Sequence, residues 1–152
     1  RSGCTQSQEF TMRMIFVNLP VKDVEASKKF FAALGFKHNP QFSDDSATSI
    51  VFDENIYAML LSHERFSDFI NGEIADPSTT EVLTALSCES REEVDSLLEK
   101  ALASGGKPWK PVIDMGFMYG ASFRDPDDHV WELSYMDMEA VAKMGDEMPS
   151  GG

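Results

Sequence analysis

MIFVNLPVKDVEASKKFFAALGF, residues 14–36, is the stretch from which the fold is read. Its first eight residues form an apolar, partly β-branched run suited to a strand. Asp23 then stands where a helix needs an N-cap, because its carboxylate can accept a first-turn N–H that has no partner inside the helix. From there Val24, Ser27, Phe30, Phe31 and Leu34 fall on one face at helical spacing, and Gly35 follows as a stop signal. The spacing predicts a strand running directly into a helix over 24–34. Downstream, Phe36–Phe42, Ala47–Phe52 and Tyr57–Leu61 are apolar-rich. Asp44-Asp45 and Asp53-Glu54-Asn55 separate them, with short polar side chains that suit turns. The first half therefore reads strand, helix, strand, strand, strand.

The same unit is predicted a second time. After Phe66, Phe69 and Ile70 at helical spacing, NGEIADPSTT (71–80) is polar and punctuated by Gly and Pro, as a linker is. Val82–Leu86 is strand-like, and SREEVDSLLEKALASGG (90–106) opens with Ser90 and Glu93 in capping-box positions. Val94, Leu97, Leu98, Ala101 and Leu102 form its apolar stripe, and Gly105-Gly106 end it. Lys107–Val112, Gly120–Arg124 and Val130–Tyr135 supply three more strands, the last two joined by Asp125-Pro126-Asp127-Asp128. A shift of 67 positions sets Leu98 on Phe31, Leu97 on Phe30 and Leu83 on Phe16. The predicted fold is α+β: two βαβββ modules in tandem, forming an eight-stranded cupped sheet with helices outside. The alternative is an α+β sandwich whose halves are alike by chance. Module one spans 14–62, the linker 63–81 and module two 82–137, in a single domain over 14–137. Residues 1–13 read as a disordered tail or expression remnant, and 138–152 as a C-terminal tail.

The 152 residues are 42% hydrophobic and 26% charged, an ordinary globular composition. The net charge of −13 has the wrong sign for neutralising phosphates, so no nucleic-acid partner is expected. No apolar run approaches the roughly 18 residues of a membrane span, and the amino terminus lacks a signal peptide's apolar core. The sequence-level expectation is a cytoplasmic protein without a membrane partner. Cys4 and Cys88 are too few for a disulfide framework and are expected to be free thiols.

The strand-helix-three-strand unit containing VKDVEASKKFFAALGF, repeated and closed by SFRDPDDHVWELSY (122–135), resembles the vicinal oxygen chelate superfamily. That group includes glyoxalases, extradiol dioxygenases, fosfomycin-modifying enzymes and bleomycin resistance proteins. The likeness covers about residues 13–137, and it identifies the fold better than the activity, since one fold hosts many chemistries. In metal-dependent members a divalent ion is held by His, Glu or Gln in the first and last strands of each module. The resemblance places those sites on Phe16 and Met59 in module one and on Leu83 and Glu132 in module two.

Phe and Leu have no donor atom, and a thioether is a poor ligand for hard or borderline ions. One carboxylate does not hold a catalytic ion, so no metal and no other cofactor is expected. Among the neighbours two residues away, Asn18, Leu61 and Ala85, only Asn18 offers an oxygen. His38, His63 and His129 sit at strand edges or turns without metal-clip spacing and are expected to be solvated. Asp125, Asp127 and Asp128 suggest calcium, but the loop has Val130 where the sixth-position Gly is required and Met136 where the twelfth-position Glu is required. A tight turn explains them. No nucleophile elbow or phosphate loop is present.

The resemblance therefore implies a metal-free, bleomycin-resistance-like binding protein and a homodimer. Phe16, Asn18, Met59, Leu83, Trp109, Phe117 and Tyr119 would form the wall for a small aromatic or cationic ligand, with Glu132 orienting it. The alternative is an enzyme of the same superfamily, a lyase or isomerase, with Glu132 as general base or as ligand of an unrecognised metal. A regulatory domain with neither activity also remains open.

Overall fold

The computed structural model describes residues 13–147, and the side chains of 13–143; Cys4 lies outside the described residues. The chain divides into two compact units between Ile74 and Ala75.

In the first unit, β1 (Ile15–Val21) leads into α1 (Val24–Ala33) through Asp23, whose Oδ1 accepts the Ala26 N–H at 3.1 Å. The cap satisfies a donor that the helix leaves without a partner. Gly35, at φ +102°, lets the chain turn off the helix in the left-handed region. Strands β2 (Lys37–His38), β3 (Ala47–Asp53) and β4 (Ile56–Ser62) follow, and α2 (His63–Asp68) starts on a Ser62 cap. The sheet order is β1-β4-β3-β2, with β1 parallel to β4 and the other pairs antiparallel.

Strand alternation sorts this sheet into two faces. Leu19, Leu60 and Thr48 share one rung, and Val17, Ala58 and Ile50 the next, on the face under α1. There Phe30 and Phe31 are buried and pack edge to face at 5.1 Å. Burying each ring contributes about 1.5–3 kcal/mol. The opposite face carries the rungs Phe16–Tyr57–Val51, Asn18–Met59–Ser49 and Pro20–Leu61–Ala47.

The second unit repeats the plan with β5 (Leu83–Cys88), α3 (Arg91–Ala103), β6 (Lys107–Pro108), β7 (Ile113–Asp114), β8 (Met118–Arg124) and β9 (Val130–Met136). Ser90 Oγ accepts the Glu93 N–H at 3.0 Å, and Glu93 reaches back to the Glu89 N–H at 2.7 Å, one residue before the cap. The sheet runs β5-β9-β8-β6, with β7 also on β8. Trp131, Phe123, Leu133, Val94 and Ala101 form the core between sheet and helix. Gly106 fits only because it lacks a side chain, since a Cβ there would stand 2.7 Å from the Ala101 carbonyl oxygen and 3.1 Å from that of Arg124.

The α+β class and the two-module plan are as the sequence predicts, with one sheet in each module and nine strands among the described residues. Two strands are much shorter than expected. Over 36–42 only Lys37–His38 pairs, and Pro40–Phe42 forms a 3-10 turn capped by Asn39, because Pro40 has no N–H to give a ladder. Over 107–112 only Lys107–Pro108 pairs; Pro111 interrupts the run, and β7 takes up the neighbouring stretch of β8. The segment read as a linker begins with α2, and that read as a tail begins with α4 (Met138–Glu147).

Candidate functional site

On the open face of the first sheet, Phe16 and Tyr57 stack at 5.1 Å with their planes 12° apart, while Phe16 remains 48% exposed. The pair are register partners on adjacent parallel strands, which sets the rings side by side, and Tyr57 Oη donates to the Glu54 carbonyl at 2.8 Å. Further along the same face lies a groove of about 280 Å3. Asn18, Met59, Leu61 and Ala47 floor it, Phe42 and Phe69 add exposed rings, and Asp44 and Arg65 bring opposite charges. Beneath it Ser49, the rung partner of Met59, is 1% exposed, and its Oγ is buried without a hydrogen-bond partner.

The two charges are held in place by Ser46. Asp44 Oδ1 accepts from Ser46 N at 2.7 Å and Oγ at 2.8 Å, and Arg65 Nη1 donates to Ser46 Oγ at 3.1 Å. The Ser46 N–H and hydroxyl bonds hold the Asp44 carboxyl below its usual range, and the Arg65 guanidinium lowers it further. Arg65 also lies 5.6 Å from the Phe69 ring centre and forms no ion pair among the described residues.

In the second unit, Leu83 and Glu132 share the open face, on rungs two residues apart with Val130 and Ala85 as strand partners. Leu83 is 53% exposed, and the Glu132 carboxylate has no hydrogen bond or ion pair among the described residues. Ser122 faces Glu132 across the strands and accepts the Lys110 N–H at 3.1 Å, which brings the Trp109-Lys110 segment to this face. Trp109 packs under Arg124, 5.5 Å from guanidinium to ring centre, and Arg124 is paired with Asp128 at 3.3 Å.

The structure therefore brings Phe16, Asn18 and Met59 together on one face, and Leu83, Trp109 and Glu132 together on another. Tyr119 is not among them. It lies on the helix side of β8, where its hydroxyl donates to Asp95 of α3 at 2.6 Å and its ring lies 4.9 Å from the Arg91 guanidinium. The hydrogen bond to Asp95 raises its pKa. Phe117 precedes β8 at the same end, its carbonyl accepting the Asp137 N–H at 2.8 Å, and nothing sets it beside Glu132.

The sequence reading did not identify Tyr57, Phe42, Asp44, Arg65 or Phe69. The one signal for Phe69 was its helical spacing from Phe66. His129, expected to be solvated, is buried, and its Nδ1 lies 2.8 Å from Glu81 Oε1. His63 opens α2. Asp125 is 2% exposed and organises the β8–β9 turn: Oδ1 accepts the Asp127 and His129 N–H groups, and Oδ2 accepts Trp131 Nε1. Burial pushes its pKa up against the opposing pull of His129 and these donors. Burial also pushes the Cys88 thiol up to about 11, assisted by Glu93, so this free cysteine is a poor nucleophile.

The donor set does not fit a divalent ion. Of Phe16, Met59, Leu83 and Glu132, only the last carries a hard donor, and among the described residues no three His, Cys, Asp or Glu side chains are so placed that they could hold a metal ion. No helix among the described residues is long and apolar enough to cross a membrane.

Residues 13–133 match the model of the Glyoxalase/Bleomycin resistance protein/Dioxygenase superfamily. Among solved structures, the chain is similar to hypothetical protein SA1046 from S. aureus, with 28% identity and a TM-score of 0.69 over 85% of this chain and 98% of that one. It also shares the fold of a glyoxalase/bleomycin resistance protein/dioxygenase family enzyme from Burkholderia phytofirmans PsJN, at 18% identity and a TM-score of 0.69 over 83% and 100% of the two chains. A lactoylglutathione lyase from Agrobacterium tumefaciens has the same fold at 14% identity and a TM-score of 0.61 over 83% and 95%. No curated protein matches the chain. With a family model spanning most of its length and two βαβββ modules in its structure, the chain belongs to the glyoxalase/bleomycin resistance protein/dioxygenase superfamily.

Proposed function

We propose that the protein binds a small organic molecule with an aromatic or cationic part, without a metal at the positions the superfamily uses for one. The observation that carries this reading is the open face of the first sheet. Where metal-dependent members need donors, Phe16 stacks on Tyr57 and Met59 floors a groove edged by exposed rings. Aromatic faces and a polarizable thioether attract flat or cationic groups through stacking and cation–π contact. On the second sheet, the uncommitted Glu132 carboxylate offers a cation a charge-assisted bond, and the net charge of −13 favours a cation's approach.

A thermal-shift screen of planar amines, aromatic acids and glycopeptide antibiotics, followed by calorimetry and a product assay on each hit, tests the proposal. Stabilisation by a ligand recovered unchanged, and reduced in Phe16→Ala, supports it; a screen without hits contradicts it. Glu132, free beside Ser122, also supports a second reading, a general base in a metal-independent lyase or isomerase. Turnover of a hit that is abolished in Glu132→Gln would establish that reading instead. We further propose a homodimer, since β1 and β5 are sheet edges that expose Ile15, Phe16 and Leu83. Sedimentation at one chain's 16.9 kDa across micromolar concentrations would contradict it.

A further inference from the structure

The groove on the first sheet has an apolar floor and a polar end with both signs of charge. Ser46 Oγ bridges the charged groups, bonded to Asp44 Oδ1 at 2.8 Å and to Arg65 Nη1 at 3.1 Å, which places carboxylate and guanidinium within one small head group's reach. Neither is used up. Asp44 Oδ2 has no partner among the described residues, and of the five N–H donors of Arg65 only one is bonded to Ser46. Phe69 under the guanidinium and the Ser46 bond limit its rotamers, so a ligand meets a partly preorganised fork.

We propose that this groove recognises a zwitterionic head, an ammonium and a carboxylate on one carbon, joined to an aromatic side chain: Arg65 takes the carboxylate, Asp44 the ammonium, and Met59, Leu61 and Phe42 the ring. This rests on the reading that the first sheet's open face binds aromatic molecules, and it adds the class of head group. Charge arithmetic selects the zwitterion over either ion alone. A purely anionic ligand would bond Arg65 but meet Asp44, then Asp45, Glu64 and Asp68, which line an adjoining hollow with Arg65, and the repulsion of a chain at −13. A purely cationic ligand would satisfy Asp44 and leave the Arg65 fork facing its positive charge. A zwitterion pairs with both and carries no net charge into that field. The groove's 280 Å3 lies just below the range of about 300–1,000 Å3 typical of drug-sized ligands, as suits a compact molecule.

The test uses three molecules that share a phenylethyl frame: L-phenylalanine, 2-phenylethylamine and 3-phenylpropanoate, titrated calorimetrically into the full chain and into Arg65→Gln and Asp44→Asn. Both variants keep the local scaffold, because the Arg65 contact to the α2 cap is through its backbone N–H and the amide introduced by Asp44→Asn retains an acceptor oxygen for Ser46; circular dichroism melts verify folding. L-Phenylalanine should bind about tenfold or more tighter than either analogue. Arg65→Gln should remove that advantage while leaving the amine's affinity unchanged or improved, and Asp44→Asn should likewise remove it while leaving the propanoate's affinity unchanged or improved. Equal or tighter binding of either single-charge analogue overturns the proposal, as does a uniform loss for all three compounds in both variants. If none of the three binds but other aromatic compounds still do so in a Phe16-dependent manner, the head-group assignment fails and the aromatic-site reading stands. If no aromatic compound binds, both fail.

Discussion

Replacing Asp125 with Asn tests how module two holds the strands that present Ser122 and Glu132. The native carboxylate receives three N–H donors, from Asp127 at 2.9 Å and His129 at 3.0 Å on Oδ1, and from Trp131 Nε1 at 3.0 Å on Oδ2. Asn has nearly the same shape but only one acceptor oxygen. If that oxygen keeps the two backbone donors, its NH2 faces the indole N–H of Trp131, which is fully buried. Turned over, it abandons two backbone donors instead. The first arrangement is cheaper and leaves two donors unsatisfied, each costing about 1–3 kcal/mol. Removal of a buried charge offsets part of this. The net expectation is a loss of about 2 kcal/mol, read from the midpoint of urea denaturation at unchanged slope. Adding Trp131→Phe removes the opposing donor, so the double variant should lose less than the sum of the single variants by about 1 kcal/mol. An Asp125→Asn loss below about 0.5 kcal/mol, the level of ordinary surface changes, would refute the assignment of this turn as a buried hydrogen-bond hub.

Three further outcomes follow from the same structure. Gly106→Ala sets a Cβ 2.7 Å from one backbone oxygen and 3.1 Å from another, neither on a flexible side chain, and should cost about 1–3 kcal/mol in the same denaturation assay. Asp114 is held below its usual pKa chiefly by its hydrogen bond to Arg91, so its contribution is present above the unfolded pKa of about 3.9 and is lost as pH falls through the lower folded value. Asp114→Asn should therefore melt below wild type at pH 6 and converge with it below about pH 3. Metal analysis of protein purified without chelator should find well under one equivalent of Ni, Zn, Mn or Fe, whereas a full equivalent lost in Glu132→Ala would show that the ligand positions are misassigned.

Periodicity and caps predict α1 and α3, because Val24, Ser27, Phe30 and Phe31 in one and Val94, Leu97 and Ala101 in the other repeat at helical spacing after Asp23 and Ser90, while α2 and α4 begin in the segments expected to be linker and tail. The resemblance, not periodicity, implies Phe16 and Met59 as counterpart positions, and the register Phe16–Tyr57 and Asn18–Met59 sets both on one face, two residues apart along the strands. Tyr119 lies off the face expected for it because the pairing of Ser122 with Glu132 fixes even-numbered residues of β8 on the open side. Composition before that strand does not carry this register. Arg65 and Phe69 fall in the segment expected to be linker, and their place at the groove depends on where α2 sits against β1 and β4, a tertiary placement. His129 has the same cause: its partner Glu81 lies 48 residues away in sequence.

The measurement closest to the central claim is carbon-13 methyl NMR of Met59 during titration with an aromatic ligand from the screen. A ring seated on the first sheet's open face must shield the Met59 methyl group. The expected result is a saturable upfield shift whose midpoint agrees with the calorimetric Kd and which is lost in Phe16→Ala. Saturating calorimetric binding with an unmoved Met59 signal would place the ligand elsewhere and contradict the account.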